Sequence, residues 1–530
     1  MLQMEKSKSV IIAFMLSVLM VVSILSKFSF VPSIQIAIFL LALLLFIYLL
    51  NTNKIKFNSY IVTAILLFAA GCLSYIGADF KVNVRDYLII LSSALMAGFS
   101  FSFLSAEWKK KVFIVPIFIA LWLSMILFIK FLTNTQGFFY GDNFYENLPL
   151  NVNVVAGFLA LVYPLFFIYI KGQKNSKAFM VMTIFVLFAI LLTRCRIVIL
   201  LSFISTFIFL LEYRKSKIGK GLIALSIILL VGSMIYVSIL KSSSNNVADM
   251  ITWWKTALLI FKENIFFGCG LGNYENLFKA FSPEQTVNTL FAGNIFMQLL
   301  AETGVVGILS FVTLLLSFYK NFIDRVIEGK DLSFYVYITL AVTSFIIINL
   351  VDYSFFVPAN MLMFFIIFSS MFHIETEIRK KSKISFYVCL AIYAFMVFSF
   401  AKPVIANNYY KKGIDSYVKG YYKLAIEEFE KSINLDKKNP EYYAQVSRAY
   451  FGLYDKNRGE QGQLYADNSI KYLQKAIELN KYSAQLRISL ASVYWNNDKK
   501  EEALNTIQEA IKYDKYNPVY EEYYYQIKNS

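Results

Sequence analysis

Apolar runs with almost no charge dominate the first 402 residues, and short clusters of lysine and arginine break them up. Thirteen such segments stand out, at 9–26, 33–50, 59–77, 87–105, 112–133, 151–170, 178–193, 197–212, 219–240, 294–318, 334–351, 357–373 and 384–402. An apolar helix of about 20 residues crosses the roughly 30 Å hydrocarbon layer of a bilayer. The pattern predicts an all-α protein, a polytopic bundle of about 13 spans in residues 1–402. Two connections are long. Residues 134–150 are polar and carry Asp142 and Glu146, and residues 241–293 contain an amphipathic run from Met250 to Phe261. Long loops inside compact proteins are commonly functional.

The pattern changes after Lys402. No window in 403–530 could span a bilayer, and a repeat emerges. Small residues recur at Ala425, Ser469 and Ala503, and again seven positions later at Ser432, Ala476 and Ala510. Bulky residues recur at Phe429, Leu473 and Ile507. Ser469 and Ala503 are 34 residues apart, and a ten-residue insertion near 455–464 lengthens the preceding interval. The stretches "KGYYKLAIEEFEKSINLD" and "NDKKEEALNTIQEAIKYD" resemble tetratricopeptide repeats, helix–turn–helix units of about 34 residues whose small positions let paired helices approach closely. Residues 403–530 are therefore expected to form a separate helical-repeat domain. Such a domain offers a groove to a protein or peptide partner, or acts only as a folded cap that holds the chain in a complex.

Charge orients the chain. Of 51 lysines and arginines, 19 lie in 403–530 against 17 acidic residues, so the membrane part holds 32 basic and 18 acidic residues. Twenty-one of those bases fall in alternate loops, between Lys6 and Lys383. The positive-inside rule places these loops, and the N-terminus, in the cytoplasm. An odd number of spans then puts the repeat domain outside a plasma membrane. The basic balance is explained by topology, and no basic patch interleaved with aromatics points to nucleic acid. The composition agrees, with 58% hydrophobic and 16% charged residues, where about 45–50% apolar is usual for a soluble domain. Four scattered cysteines imply no disulfide framework, and with His373 the only histidine, a metal site built on several histidines is excluded.

Ionisable groups within or beside spans are costly and tend to face a bundle interior or a wet cavity. Here they gather at the outer level. Arg194 and Arg196 sit in "LLTRCRIVIL"; Asn151 and Asn153 open "NVNVVAGFLALVYP". Lys255 and Lys262 precede the glycines 268, 270 and 272 in "WWKTALLIFKENIFFGCGLGNYENLF". Asn294, Gln298 and Glu302 recur every four residues in "FAGNIFMQLLAETGVVG", one polar stripe on a helix. Asp352 follows in "NLVDYSFFVPAN". Each residue has a plainer alternative. The arginines could anchor to lipid headgroups, the stripe could only join neighbouring helices, and the glycines could serve a tight backbone turn.

These segments, in this order over roughly residues 140–375, resemble the O-antigen ligase and polysaccharide polymerase family of membrane glycosyltransferases. The resemblance implies transfer of a glycan from a polyprenyl-diphosphate-linked donor to an acceptor hydroxyl at the outer face, with no metal or other cofactor. Arg196 matches the family's arginine after the seventh span and is expected to hold the diphosphate, with Arg194 as helper. Lys255, Lys262, Gly270, Gly272, Asn294 and Gln298 are further candidates for substrate binding, and Glu302 and Asp352 for handling the acceptor's proton. Two departures matter. The family's histidine falls on Gly293, and its second arginine falls on Met250. The alternative is a non-catalytic transporter of glycan lipids, or a scaffold of a cell-envelope complex that uses its repeats.

Overall fold

A computed structural model describes residues 2–26, 31–135, 151–170, 176–212, 214–215, 217–239, 247–329, 331–374, 376–378, 383–457 and 459–530. Most of the polar loop 134–150, with Asp142 and Glu146, lies outside them, as do residues 240–246. The described chain is almost wholly helical. Its one sheet is a two-stranded antiparallel ladder in which Asn53–Ile55 pairs with Thr376–Ile378.

A helix occupies each of the apolar intervals read from the sequence. Among the described residues, seven helices are long and apolar enough to cross a membrane, and five shorter apolar helices accompany them. The protein is a multi-pass membrane protein. Large apolar side chains point outward from these helices, among them Ile65, Phe118, Ile184, Leu309 and Leu316, as a lipid-facing surface requires.

The centre of the bundle is set by two helices that are apolar all round, the signature of full burial. Every residue of Pro358–Ser369 is buried, as is nearly all of Val152–Ile170. Asn360 joins them, donating from Nδ2 to the Val154 carbonyl at 3.2 Å. Helix Lys81–Ser102 packs closely on this centre at Gly98, where an added Cβ would lie 2.7 Å from the Phe365 carbonyl oxygen. Pro32 and Pro358 each start a helix, where proline's missing N–H costs nothing.

The helix expected as the last span does not stop at the expected boundary. Lys383–Val418 runs as one helix through Pro403 and leads directly into the repeats. Six helices follow, from Tyr422–Leu435 to Pro518–Asn529, each packed against the next, and Tyr422–Leu435 packs back on the end of Lys383–Val418. The spacing rule read from the sequence holds here. Ala425, Ser469, Ala503, Ser432, Ala476 and Ala510 are each 0% exposed, and Phe429, Leu473 and Ile507 fill the gaps at 0–2%. The Ser469 hydroxyl meets that of Ser447 at 2.7 Å across one such contact.

This helical array is docked on one end of the bundle. Arg85 pairs with Asp436 at 2.7 Å, Lys481 with Asp79 at 2.9 Å, and Lys279 with Asp514 at 3.0 Å. The Tyr516 hydroxyl donates to the Pro283 carbonyl, and the rings of Phe281 and Tyr482 lie 5.6 Å apart. The array therefore sits at the end where Ser59–Gly77 finishes and Lys81–Ser102 begins, against the long 241–293 connection. Exposed pairs are worth about 0–1 kcal/mol each. Asp436 and Asp514, 7% and 8% exposed, set the Arg85 and Lys279 pairs apart from the more exposed Lys481–Asp79 pair.

Candidate functional site

The polar stripe of Asn294, Gln298 and Glu302 forms on helix Ile295–Glu328, and each residue has a separate structural task. Asn294 caps the helix, its Oδ1 accepting from the amides of Phe296 and Met297. Its Nδ2 donates to the Leu350 carbonyl at 2.9 Å. Gln298 accepts from the Ala292 amide at 2.6 Å and donates to Glu302 at 2.8 Å. Glu302 also accepts from the Tyr274 amide at 3.2 Å and is 1% exposed.

That carboxylate secures the glycine-rich turn. The "AETG" stretch, Ala301–Gly304, is where the helix opens its backbone to a neighbouring segment. The amides of Cys269 and Gly270 donate to the carbonyls of Ala301 and Glu302, and those of Val305 and Val306 donate to Ile265 and Phe266. Gly304 breaks the helix at φ 63°, ψ −161°, and an added Cβ would lie 2.4 Å from the Phe266 oxygen. Gly268 has φ 68°, with an added Cβ 2.4 Å from the Glu302 carbonyl carbon. Only glycine fits either position. The quoted glycine motif and the "AETG" motif are thus two halves of one backbone joint.

Gly270 and Gly272 face the protein. An added Cβ would lie 2.6 Å from Ala78 Cβ at the first and 2.3 Å from the Tyr87 ring at the second. The turn is held from the same side, with the Leu271 amide on the Ser74 hydroxyl and Asn83 Nδ2 on the Gly272 carbonyl. A side chain at either position would meet Ala78 or Tyr87.

A second group forms around the corner after helix Leu332–Ile348. The Asn349 carbonyl accepts from the Ile295 amide at 2.7 Å, and Asn349 Oδ1 accepts from the Phe355 amide at 2.7 Å. Asp352 Oδ1 accepts from the Ser354 amide at 2.7 Å and from its hydroxyl. Tyr353 stacks on Phe291 at 5.2 Å, linking this corner to the start of the stripe. Asn151 caps Val152–Val162, its Oδ1 accepting from the Asn153 amide, and Asn153 Oδ1 accepts from the Cys195 thiol at 3.2 Å.

Their mutual electrostatic influence reflects how close these groups lie. Burial, and then the nearby Asp352 carboxylate, pushes the Cys195 thiol up to about 12. The Tyr353 phenol is likewise pushed up to about 12 by burial and Asp352, opposed by Asn151. Burial also holds the Asp352 carboxyl above its ordinary range, opposed by the Ser354 hydroxyl and by the amides of Ser354 and Tyr353. Cys195 lies between Arg194 and Arg196. Arg194 turns the chain with φ 57°, and Arg196 opens helix Arg196–Leu211 with its side chain exposed. The structure therefore gathers Arg194, Arg196, Asn151, Asn153, Asp352 and Tyr353 at one level of the bundle, next to Asn294.

Other candidates lie apart. Lys255 pairs with Glu284 at 3.0 Å, both exposed, in the part of the connection that meets the array. Lys262 is exposed near the end of helix Val247–Glu263. Gly293 stands against the Trp253 ring, 3.5 Å from an added Cβ, and Met250 is half-buried in the same small cluster. His373 lies at the far end of Pro358–Ser369, a 12-residue helix about 18 Å long at 1.5 Å per residue. Its carbonyl accepts from Asn58 beside the two-stranded ladder, so it cannot replace a base at Gly293.

One comparison bears on this geometry. Residues 178–312 match the O-Antigen ligase family model. The O-antigen ligase match covers both arginines, the glycine turn and the stripe. It ends before the Asp352 corner, which the folded chain supplies from outside the matched segment. No curated protein matches the chain. Among solved structures, yeast Tom70 aligns at 11% identity over 77% of this chain and 96% of its own, with a TM-score of 0.13, too low to bear on the fold. Two participants were not singled out from sequence, Tyr353 and Asn349. Both stand in the quoted "NLVDYSFFVPAN", but their roles come from contacts with residues near 151 and 295.

Proposed function

We propose that this protein transfers or polymerises glycan from a polyprenyl-diphosphate-linked donor onto an acceptor hydroxyl at the outer face of the plasma membrane. The observation that supports the reading is that Cys195, the residue between Arg194 and Arg196, lies near Asp352, a corner outside the matched O-antigen ligase segment. In the reaction the acceptor oxygen attacks the anomeric carbon of the donor sugar. The bond from that carbon to phosphate breaks, and polyprenyl diphosphate leaves with an added negative charge. Arg196, exposed at a helix start, and Arg194 beside it are suited to hold the diphosphate and to stabilise that charge, since guanidinium binds phosphate oxygens in paired hydrogen bonds. Asp352 is suited to take the acceptor's proton. Glu302 acts from behind the glycine turn, holding Tyr274 and Gln298 in place. Asn294 and Gln298 fix the start of the helix that faces the Asp352 corner.

A pH profile tests the role of Asp352. A base works when deprotonated, and the folded environment raises this carboxyl above the ordinary aspartate value of about 3.9. Transfer should therefore fall as pH drops through the raised value, at a higher pH than an ordinary aspartate would give. Asp352→Asn should remove that acid limb and lower the rate by about 10²–10⁴-fold. An unchanged limb in Asp352→Asn would assign the proton to another group.

The reading itself is tested by the lipid-linked intermediates of a deletion strain. Accumulation of single repeat units identifies a polymerase, and retention of long lipid-linked chains with none delivered identifies a ligase. A deletion strain whose intermediates and surface glycan match the parent would favour a scaffold.

A further inference from the structure

A cavity of about 490 Å³ lies between the helical array and the bundle, within the roughly 300–1,000 Å³ range of small-molecule sites. It is lined from the array by residues on or beside the helices Pro440–Lys456, Glu460–Leu479 and Ala484–Asn496, by Tyr417 near the end of Lys383–Val418, and from the membrane part by Phe80 and Asn276. Asn276, Asn439, Asn480, Gln485, Ser489 and Ser492 bring amides and hydroxyls to its wall. The Asn276 side-chain nitrogen is buried with no hydrogen-bond partner among the described residues, a donor that a ligand oxygen would satisfy. Phe80, Tyr417 and Phe451 add ring faces.

The charge of the lining selects the ligand. Arg448 and Glu441 are its charged members, one of each sign and two helical turns apart on Pro440–Lys456. No basic cluster is present to hold an acidic peptide terminus or a phosphate. No strand edge among the lining residues offers backbone pairing to an extended peptide. Dense amides and hydroxyls beside aromatic faces suit a ligand that is itself rich in hydroxyls, uncharged, and apolar on its ring faces.

We infer that this cavity binds a segment of neutral oligosaccharide, the glycan chain being extended or delivered. The inference deepens the glycan-transfer reading and rests on it for the identity of the ligand. Asn276 lies two residues after Tyr274, whose amide is held by Glu302, so the cavity and the glycine turn share one short helix, Tyr274–Phe281. A chain gripped there would be held on the array's side of the joint that supports the candidate site.

The test uses the full-length protein in nanodiscs and short oligosaccharides released by mild acid from the source cell's own surface polysaccharide. Saturation-transfer NMR should show their binding to the parent protein. Ser489→Trp, which fills the cavity, should weaken it by about tenfold or more. Arg448→Ala, at an exposed position that leaves folding intact, should weaken it in the same direction. Binding equal to the parent in both variants would overturn the inference. So would a photoreactive residue at 489 that captures polypeptide rather than glycan in cells. Binding is read without turnover, so an inactive parent that still binds oligosaccharide through this cavity would sink the transfer reading alone.

Discussion

Arg196→Ala is expected to lower glycan transfer by about 10²–10³-fold, the usual cost of removing one donor to a developing negative charge. The reasoning starts from the local chain. Arg194 turns the backbone with φ 57° so that the next helix begins at Arg196. Arg196 is thereby presented at the head of an apolar helix with its side chain exposed. Cys195 between them is anchored to Asn153 and lies near Asp352, which holds this stretch of backbone beside the Asp352 corner. Arg196→Lys should recover only part of the rate, because an ammonium offers a point charge where guanidinium offers paired donors. A lipid-anchoring role predicts otherwise: both variants would transfer normally and differ from the parent only in detergent stability. Measuring rate and melting temperature on the same preparations separates the two.

The second large effect concerns stability. Gly268→Ala forces an L-residue into a left-handed conformation, which costs of order 1–3 kcal/mol, and drives its Cβ into the Glu302 backbone at 2.4 Å. The two hydrogen bonds from Cys269 and Gly270 to Ala301 and Glu302 would be strained together. The variant should melt at a clearly lower temperature in detergent and lose transfer along with it. Ala at Gly221, where an added Cβ meets nothing within 4 Å, should do neither. Equal melting of Gly268→Ala and the parent would mean that the glycine turn is not a joint of the fold.

Much of this arrangement is legible along the chain. The apolar intervals mark helices because a lipid-facing segment must satisfy its own backbone, and the small positions at Ala425, Ser469 and Ala503 mark helix contacts because nothing larger fits. The stripe of Asn294, Gln298 and Glu302 is equally plain as a periodicity. Its partners are not, since Leu350 and Tyr274 are 56 and 28 residues away from the groups they meet. Periodicity assigns a face to a residue but no neighbour. The same limit explains Lys255, a suitable cation by composition, which the fold pairs with Glu284. It also explains the cavity between Phe80, Asn276 and the repeats, which joins segments from three distant parts of the chain. Gly270 and Gly272 read as a possible ligand cradle in sequence, and packing against Ala78 and Tyr87 turns them inward.

The most direct test of the central claim is release of polyprenyl diphosphate by the purified protein in nanodiscs supplied with the lipid-linked glycan of its source. The account predicts one polyprenyl diphosphate freed for each new glycosidic bond in the parent, and loss of both products together in Arg196→Ala. Release and bond formation at the parent's rate in Arg196→Ala would contradict it, as would a parent that consumes no donor at all.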